Sequence, residues 1–212
     1  MTPEKLWRGQ TLADRSSDRR EQMLAVAEQL LGSGGASAVT MRAVVREANL
    51  SPRYFYESFA SREDLVTDVY DRVTDQLLTE IAALPRVADR RENVRAVLEV
   101  CREFFEADPG RARILLREPL ADDVLRARRA ATVPGFVASV LEMTTGAHAS
   151  SPERLAVVSS ALAGALVALY LDYIDGRLSL TPAQLADAAV DLVSAVTRLA
   201  TADDGEGSAA SG

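Results

Sequence analysis

From about residue 18 to residue 201 the apolar positions recur every three or four residues, and runs that alternate one by one are almost absent. That spacing predicts helices throughout. The first covers about 18–31, with Met23, Leu24, Ala27, Leu30 and Leu31 on one stripe, and the run Gly32-Ser33-Gly34-Gly35 ends it. Residues 36–39 read as a connector. A second, short helix starts at Thr40 and a third at Ser51–Pro52, reaching about Phe59. Met41, Val44, Val45, Ala48, Leu50, Phe55 and Phe59 fall where two crossed helices share a small core. Thr40 and Ser51 are N-cap residue types, Pro52 suits a first helical position, and Asn49 tolerates the left-handed conformation a sharp turn needs. Ser61 and Asp64 stand at capping-box spacing, heading a fourth helix with Leu65, Val69, Val73, Leu77, Leu78 and Ile81 inward, stopped at about Leu84 by Pro85. Residues 40–65 therefore read as a helix-turn-helix followed by a long helix.

Helices continue beyond Pro85. Asn93–Ala107 presents Val94, Val97, Leu98, Cys101, Phe104 and Phe105, and Asp108-Pro109-Gly110 breaks it. A short helix at Arg111–Arg117 precedes Glu118-Pro119, and a longer one from about Ala121 to Met143 is kinked or interrupted at Pro134-Gly135. Thr144–Ser151 reads as a loop holding His148. The last two helices are Pro152–Ile174 and Pro182–Thr201. The first carries a stripe of Leu155, Val158, Leu162, Ala165 and Leu169, with Ala161, Ala163, Gly164 and Ala168 about its middle; the second carries Leu185, Ala189, Leu192, Val196 and Leu199. Both are apolar over more than one face, which suits either one face for the core and another for a second subunit, or an ordinary core with no dimer.

Composition supports the all-α reading, about nine helices rich in Ala, Leu, Val, Arg and Glu. The net charge of −7 argues against a nucleic-acid partner only until its distribution is read. Residues 1–60 hold 8 Lys and Arg against 7 Asp and Glu, whereas residues 61–212 hold 16 against 24. The N-terminal part can approach phosphate; the acidic remainder repels it. The single cysteine, Cys101, excludes an intramolecular disulfide framework and suits a reducing compartment. Ala161–Leu171 is the longest uninterrupted apolar run, too short for a bilayer, and MTPEKLWRGQ lacks a signal core. The expectation is a cytoplasmic protein with no membrane association. No nucleophile–base pair, metal cluster or Gly-rich phosphate loop is legible, so neither an enzyme nor a cofactor is expected.

The run Thr40-x-Arg42-x-Val44-Val45-x-x-Ala48-x-Leu50-Ser51-x-x-x-Phe55-Tyr56-x-x-Phe59-x-Ser61-Arg62-x-x-Leu65 resembles the DNA-binding domain of the TetR family of transcriptional regulators. Asn49, Ser58 and Arg62 depart from the family's commoner residues, and Tyr54 is bulky where a small residue is frequent. The resemblance implies a helix-turn-helix domain at 18–66 and a helical effector-binding and dimerisation domain at 67–202; residues 1–17 read as a basic flexible arm, and residues 203–212 read by composition as a disordered tail. Residues 1–17 read first as a frayed tail; the alternative is an arm whose Lys5, Arg8 and Arg15 touch the DNA backbone or minor groove, with Arg19 and Arg20 extending its positive edge.

It also implies roles. Thr40 would give its hydroxyl and the free N–H groups of its helix start to a phosphate, and Ser51, at the start of the third helix, is among the DNA-binding residues. Arg42 and Arg53 are candidates for base edges, where a guanidinium fork binds guanine O6 and N7 together. Tyr54 either enters the major groove or is an exposed aromatic without a role. Tyr56 and Arg62 would hold phosphates. A homodimer would read a palindromic operator in double-stranded DNA. An effector pocket would be lined by Phe104, Phe105, Phe136, Val140, Met143, Leu166, Tyr170 and Tyr173, and occupancy would move the fourth helix. The dimer interface would use the two C-terminal stripes. The expected function is a repressor released by a small molecule; the rivals are a ligand-binding or enzymatic helical domain and a dimeric scaffold.

Overall fold

The structure, a computed structural model, describes residues 12–145 and 152–201, with side chains described over 15–135, at 137, and over 153–196 except 155. Lys5, Trp7, Arg8, His148 and the tail from Asp203 lie outside the described residues, as do the side chains of Phe136, Val140, Met143, Leu155 and Leu199. No strand occurs among the described residues. The helices are α1 (Leu12–Gly34), α2 (Met41–Glu47), α3 (Pro52–Ser58), α4 (Arg62–Ala82), α5 (Arg90–Ala107), α6 (Pro109–Ala112), α7 (Glu118–Ala121), α8 (Asp123–Thr145), α9 (Pro152–Ile174) and α10 (Pro182–Thr201). A 3₁₀ turn, Ala36–Ala38, precedes α2, and a π-helical segment, Arg113–Arg117, joins α6 to α7. Counted as one stretch, 109–121 brings the described helices to nine.

Local chemistry explains where the boundaries differ from the sequence expectation. The first helix continues to Gly34 because nothing in Gly32-Ser33-Gly34 forbids helix, and it stops at Gly35, whose φ of 75° suits glycine. The α5 helix starts at Arg90 rather than Asn93, since the Asp89 carboxylate accepts from Arg91 N at 2.8 Å. Asn93 instead holds the preceding loop by bonding both the N–H and the carbonyl of Val87. Glu118-Pro119 does not break the chain direction. Proline cannot donate the bond an α-helix requires, and the wider π turn absorbs it: Glu118 N–H reaches back five residues to Arg113 O. Pro134 likewise lies inside a continuous α8.

Two compact units result, which divide the chain differently from a break at residue 66. The first comprises residues up to Gln76 together with Ala107–Ala127; the second comprises Leu77–Glu106 and the chain from Arg128. The core of the first unit holds Met23, Ala27 and Leu31 from α1, Val44 and Phe55 from the two short helices, Leu65, Val69 and Val73 from α4, and Ile114 and Leu125 from the later segment. In that unit α1 and α6 cross with Gly32 against Gly110, where a Cβ on Gly32 would stand 3.0 Å from the Gly110 Cα. The second unit packs Val94, Val137, Leu162, Val190 and Val193 into one cluster, with Leu98, Val133, Leu166, Leu192 and Val196 against it. Ion pairs from Arg91 to Asp191, at 2.7 Å, and from Arg95 to Asp187 tie α5 to α10 along its rim.

Candidate DNA interface

The first of the two short helices is capped at both ends, and the second is held chiefly by its buried face. Thr40 stands in extended conformation before α2 and its Oγ1 accepts from Ala43 N at 3.1 Å. At the other end Asn49 has φ 51°, Asn49 N donates to Arg46 O at 3.1 Å, and Leu50 N donates to Val45 O at 2.8 Å. That pair of bonds is a Schellman closure, and it needs a residue that accepts the left-handed region. Gln22 of α1 adds a bond from Nε2 to Ala48 O. Ser51 and Pro52 then open α3, whose inner face is Phe55, 1% exposed and 5.6 Å from the Phe59 ring. Ser61 caps α4 by accepting from Asp64 N. A backbone N–H at that helix start, with help from the Ser61 hydroxyl, holds the Glu63 carboxyl below its ordinary pKa.

The predicted contact residues fall into separate situations. Arg42 is exposed and, among the described residues, has no partner. Tyr56 is 64% exposed, its ring edge-on to Phe55 at 5.6 Å. Ser51 is exposed with a hydroxyl that makes no capping bond. Arg53 projects 83% exposed, with Nε 2.7 Å from Glu57. An exposed pair of this kind contributes little to stability, so Arg53 can exchange it for DNA. Tyr54 is half-buried rather than projecting; the Arg19 guanidinium lies 4.3 Å from its ring centroid.

Arg62 is placed otherwise than the resemblance implies. Only 28% of its side chain is exposed; Nε donates to Val39 O at 2.7 Å and a terminal nitrogen donates to Ala36 O. It straps the connector before α2 to the start of α4. From the other side Glu118 accepts from Ala36 N at 2.8 Å, and its carboxylate fills the space a Cβ on Gly35 would need. Arg62→Ala should therefore lower stability by about 1–3 kcal/mol, because Val39 O loses its side-chain donor and Ala36 O keeps only the Val39 N–H. Urea unfolding checks this; an unchanged midpoint would mean the strap carries no weight. Sequence reasoning missed Glu118 altogether, since nothing local marks a partner 82 residues away.

In the second unit Phe104 and Phe105 are buried edge-to-face at 5.6 Å, Phe105 meets Tyr170 at 5.3 Å, and Tyr170 meets Tyr173 at 6.3 Å. Four of the expected effector-contacting residues are thus contiguous, while Leu166 packs on the neighbouring aliphatic cluster. Burial, reinforced by the Glu106 charge, pushes the Tyr170 phenol up to about 12. Cys101 nearby keeps some accessible surface, but the apolar surroundings of its sulfur push the thiol to about 12.

The expected dimer stripes point inward. Val158, Leu162, Leu185 and Ala189 are buried in the protomer's own core, Leu192 and Val196 pack against it, and Ala165 and Leu169 are half-buried. The open face of α9 is offset by one position: Ala156, Val157, Ser160, Ala161, Gly164 and Ala168 are exposed, Val157 at 69%. Ala156–Ile174 is long and apolar enough to cross a membrane, contrary to the reading from the uninterrupted run, and only 22% of it is buried.

Residues 23–69 match the family described as bacterial regulatory proteins, tetR family. Over 103 residues the chain is 31% identical to the nucleoid occlusion factor SlmA of Vibrio atlanticus, covering 48% of this chain and 53% of that one. It is 29% identical over 99 residues to the HTH-type transcriptional activator FasR of Mycolicibacterium smegmatis, covering 46% of this chain and 45% of that one. The chain thus spans about half the length of the curated relatives it matches. A tetR-family transcriptional regulator from Streptomyces coelicolor shares the fold with a TM-score of 0.65 at 20% identity, over 89% of this chain and 84% of that one.

Proposed function

The N-terminal domain of this chain belongs to the TetR family of bacterial regulatory proteins, and we propose that the whole is a homodimeric, sequence-specific DNA-binding transcriptional regulator. The observation that carries this is the capped α2–turn–α3 unit, which presents an exposed, unpartnered Arg42 beside an exposed Tyr56. Arg42 and Arg53 contact base edges, whereas Thr40, Ser51 and Tyr56 contact phosphates. Thr40 can do so while capping, because its oxygen accepts from Ala43 and its hydrogen remains to donate.

Dimerisation uses the open face of α9. An exposed stripe of Val157, Ala161, Gly164 and Ala168 calls for a cover, and small residues let a partner helix approach closely. A second copy is the cover that a two-fold operator requires, so the helix has no need of a bilayer and the protein works in the cytoplasm. Binding of an apolar effector at Phe104, Phe105, Tyr170 and Tyr173 would release the operator, making the regulator a repressor; the chain has no catalytic role. A reporter driven from a recovered operator tests the sign, since higher output on deletion of the gene indicates repression and lower output activation.

Arg42→Ala should weaken binding to the preferred sequence by about 1–3 kcal/mol and flatten discrimination at one base position. Selection from random genomic fragments, followed by anisotropy titration, measures both; a wild-type protein with no sequence preference would end the proposal. The match to SlmA supports a second reading, nucleoid occlusion. A genomic binding profile separates the two: sites spread along the chromosome favour occlusion, and sites beside a few genes favour regulation.

A further inference from the structure

We propose that Arg19 of α1 and Tyr54 of α3 form one phosphate-contacting unit at the flank of the reading helix. This rests on the DNA-binding reading above. Most arginines of the helix-turn-helix unit are engaged elsewhere. Arg20 pairs with Asp68 at 2.6 Å and lies over the Phe59 ring, Arg46 pairs with Glu47 at 3.0 Å, and Arg53 with Glu57 at 2.7 Å. Arg62 is bound to backbone carbonyls, and Arg15 is engaged as well. Among the described arginines from Arg15 to Arg62, only Arg19 and Arg42 have no hydrogen-bond or ion-pair partner.

The two differ in surroundings. Arg42 is fully outward, while Arg19 is half-buried with its guanidinium 4.3 Å from the Tyr54 centroid. The cation lies over the ring, a contact that draws on the guanidinium's charge and occupies none of its N–H donors. Those donors suit a phosphate, and a cation already held against the ring loses less side-chain freedom on contact. The placement favours phosphate over base. Arg19 belongs to α1, anchored by the buried Met23 and Leu24 one turn on, and it meets α3 at its first turn rather than along its exposed Arg53–Tyr56 face. The bulk of Tyr54 is then a platform for a cation and not a base reader.

The test uses the full chain, a recovered operator duplex and a scrambled duplex, titrated by anisotropy over a salt series. Arg19→Ala should weaken both duplexes by about tenfold and lower the slope of log affinity against log salt by about 0.9 for each phosphate it no longer neutralises. Tyr54→Ala should reproduce that loss and Tyr54→Phe should restore it, because the ring and not the hydroxyl is the platform. The double variant Arg19→Ala/Tyr54→Ala should be no worse than either single one. Urea unfolding of each variant separates binding from stability. An unchanged salt slope in Arg19→Ala overturns the proposal, including where stability falls, since the pair is then only structural; so does a loss confined to the operator. Failure of the unsubstituted protein to bind either duplex overturns the DNA-binding reading as well, which distinguishes the two failures.

Discussion

Phe55→Ala should lower the unfolding free energy by about 3–5 kcal/mol, the largest stability effect expected from one side chain in the helix-turn-helix unit. Phe55 is 1% exposed, contacts the Phe59 ring at 5.6 Å, and is the buried residue of a helix only seven residues long. A helix of that length has no independent stability in water and persists through packing alone. Removing the ring leaves a cavity in a small core and takes away what holds α3. A loss of this size is a large part of the whole stability of an ordinary domain, so operator binding should fail together with folding. Urea unfolding followed by circular dichroism measures the effect, with Tyr56→Ala as the exposed control at under about 1 kcal/mol. A loss below about 1 kcal/mol for Phe55→Ala would show that α3 is held by something other than this ring.

If the proposed dimer forms through the open face of α9, Val157→Arg should convert it to monomers. A charge buried without a partner costs about 3–5 kcal/mol, and two-fold symmetry introduces it twice. The dimer dissociation constant should rise at least about a hundredfold, and operator affinity should fall with it. The substituted residue, Val157, is 69% exposed on α9, so folding should be preserved. Sedimentation equilibrium reads the mass directly. A variant that stays dimeric would remove the open face of α9 from the interface.

The helix-turn-helix is legible in the sequence because its determinants are local. Asn49 announces a left-handed residue, Pro52 a first turn, and Thr40 and Ser61 caps; Asn49, Thr40 and Ser61 make the bonds their types suggest, and Pro52 opens α3. The family assignment follows from the same residues, and residues 23–69 match it. Arg62 illustrates the limit. Its side chain turns toward carbonyls brought close only by folding, and sequence alone does not separate that use from contact with DNA. The faces of α9 mislead for a different reason. With Leu, Val and Ala on several sides, its periodicity does not say which stripe the protomer buries, and the stripe that reads as an interface is the inner one. Glu118 is invisible in the sequence because its partner, Ala36, is distant along the chain and offers only a backbone N–H.

The π segment at Arg113–Arg117 has a consequence for how such a chain tolerates change in length. A π turn takes in one residue more than an α turn, and each residue of an α-helix advances the azimuth by about 100°. The extra residue therefore works as a phase shifter, setting the direction in which everything from Glu118 onward points. With the segment wound as plain α-helix, the carboxylate that now meets Ala36 would face about a quarter-turn or more away. Between 109 and 121 the number of residues, and not only their identity, is part of what the helix-turn-helix unit specifies.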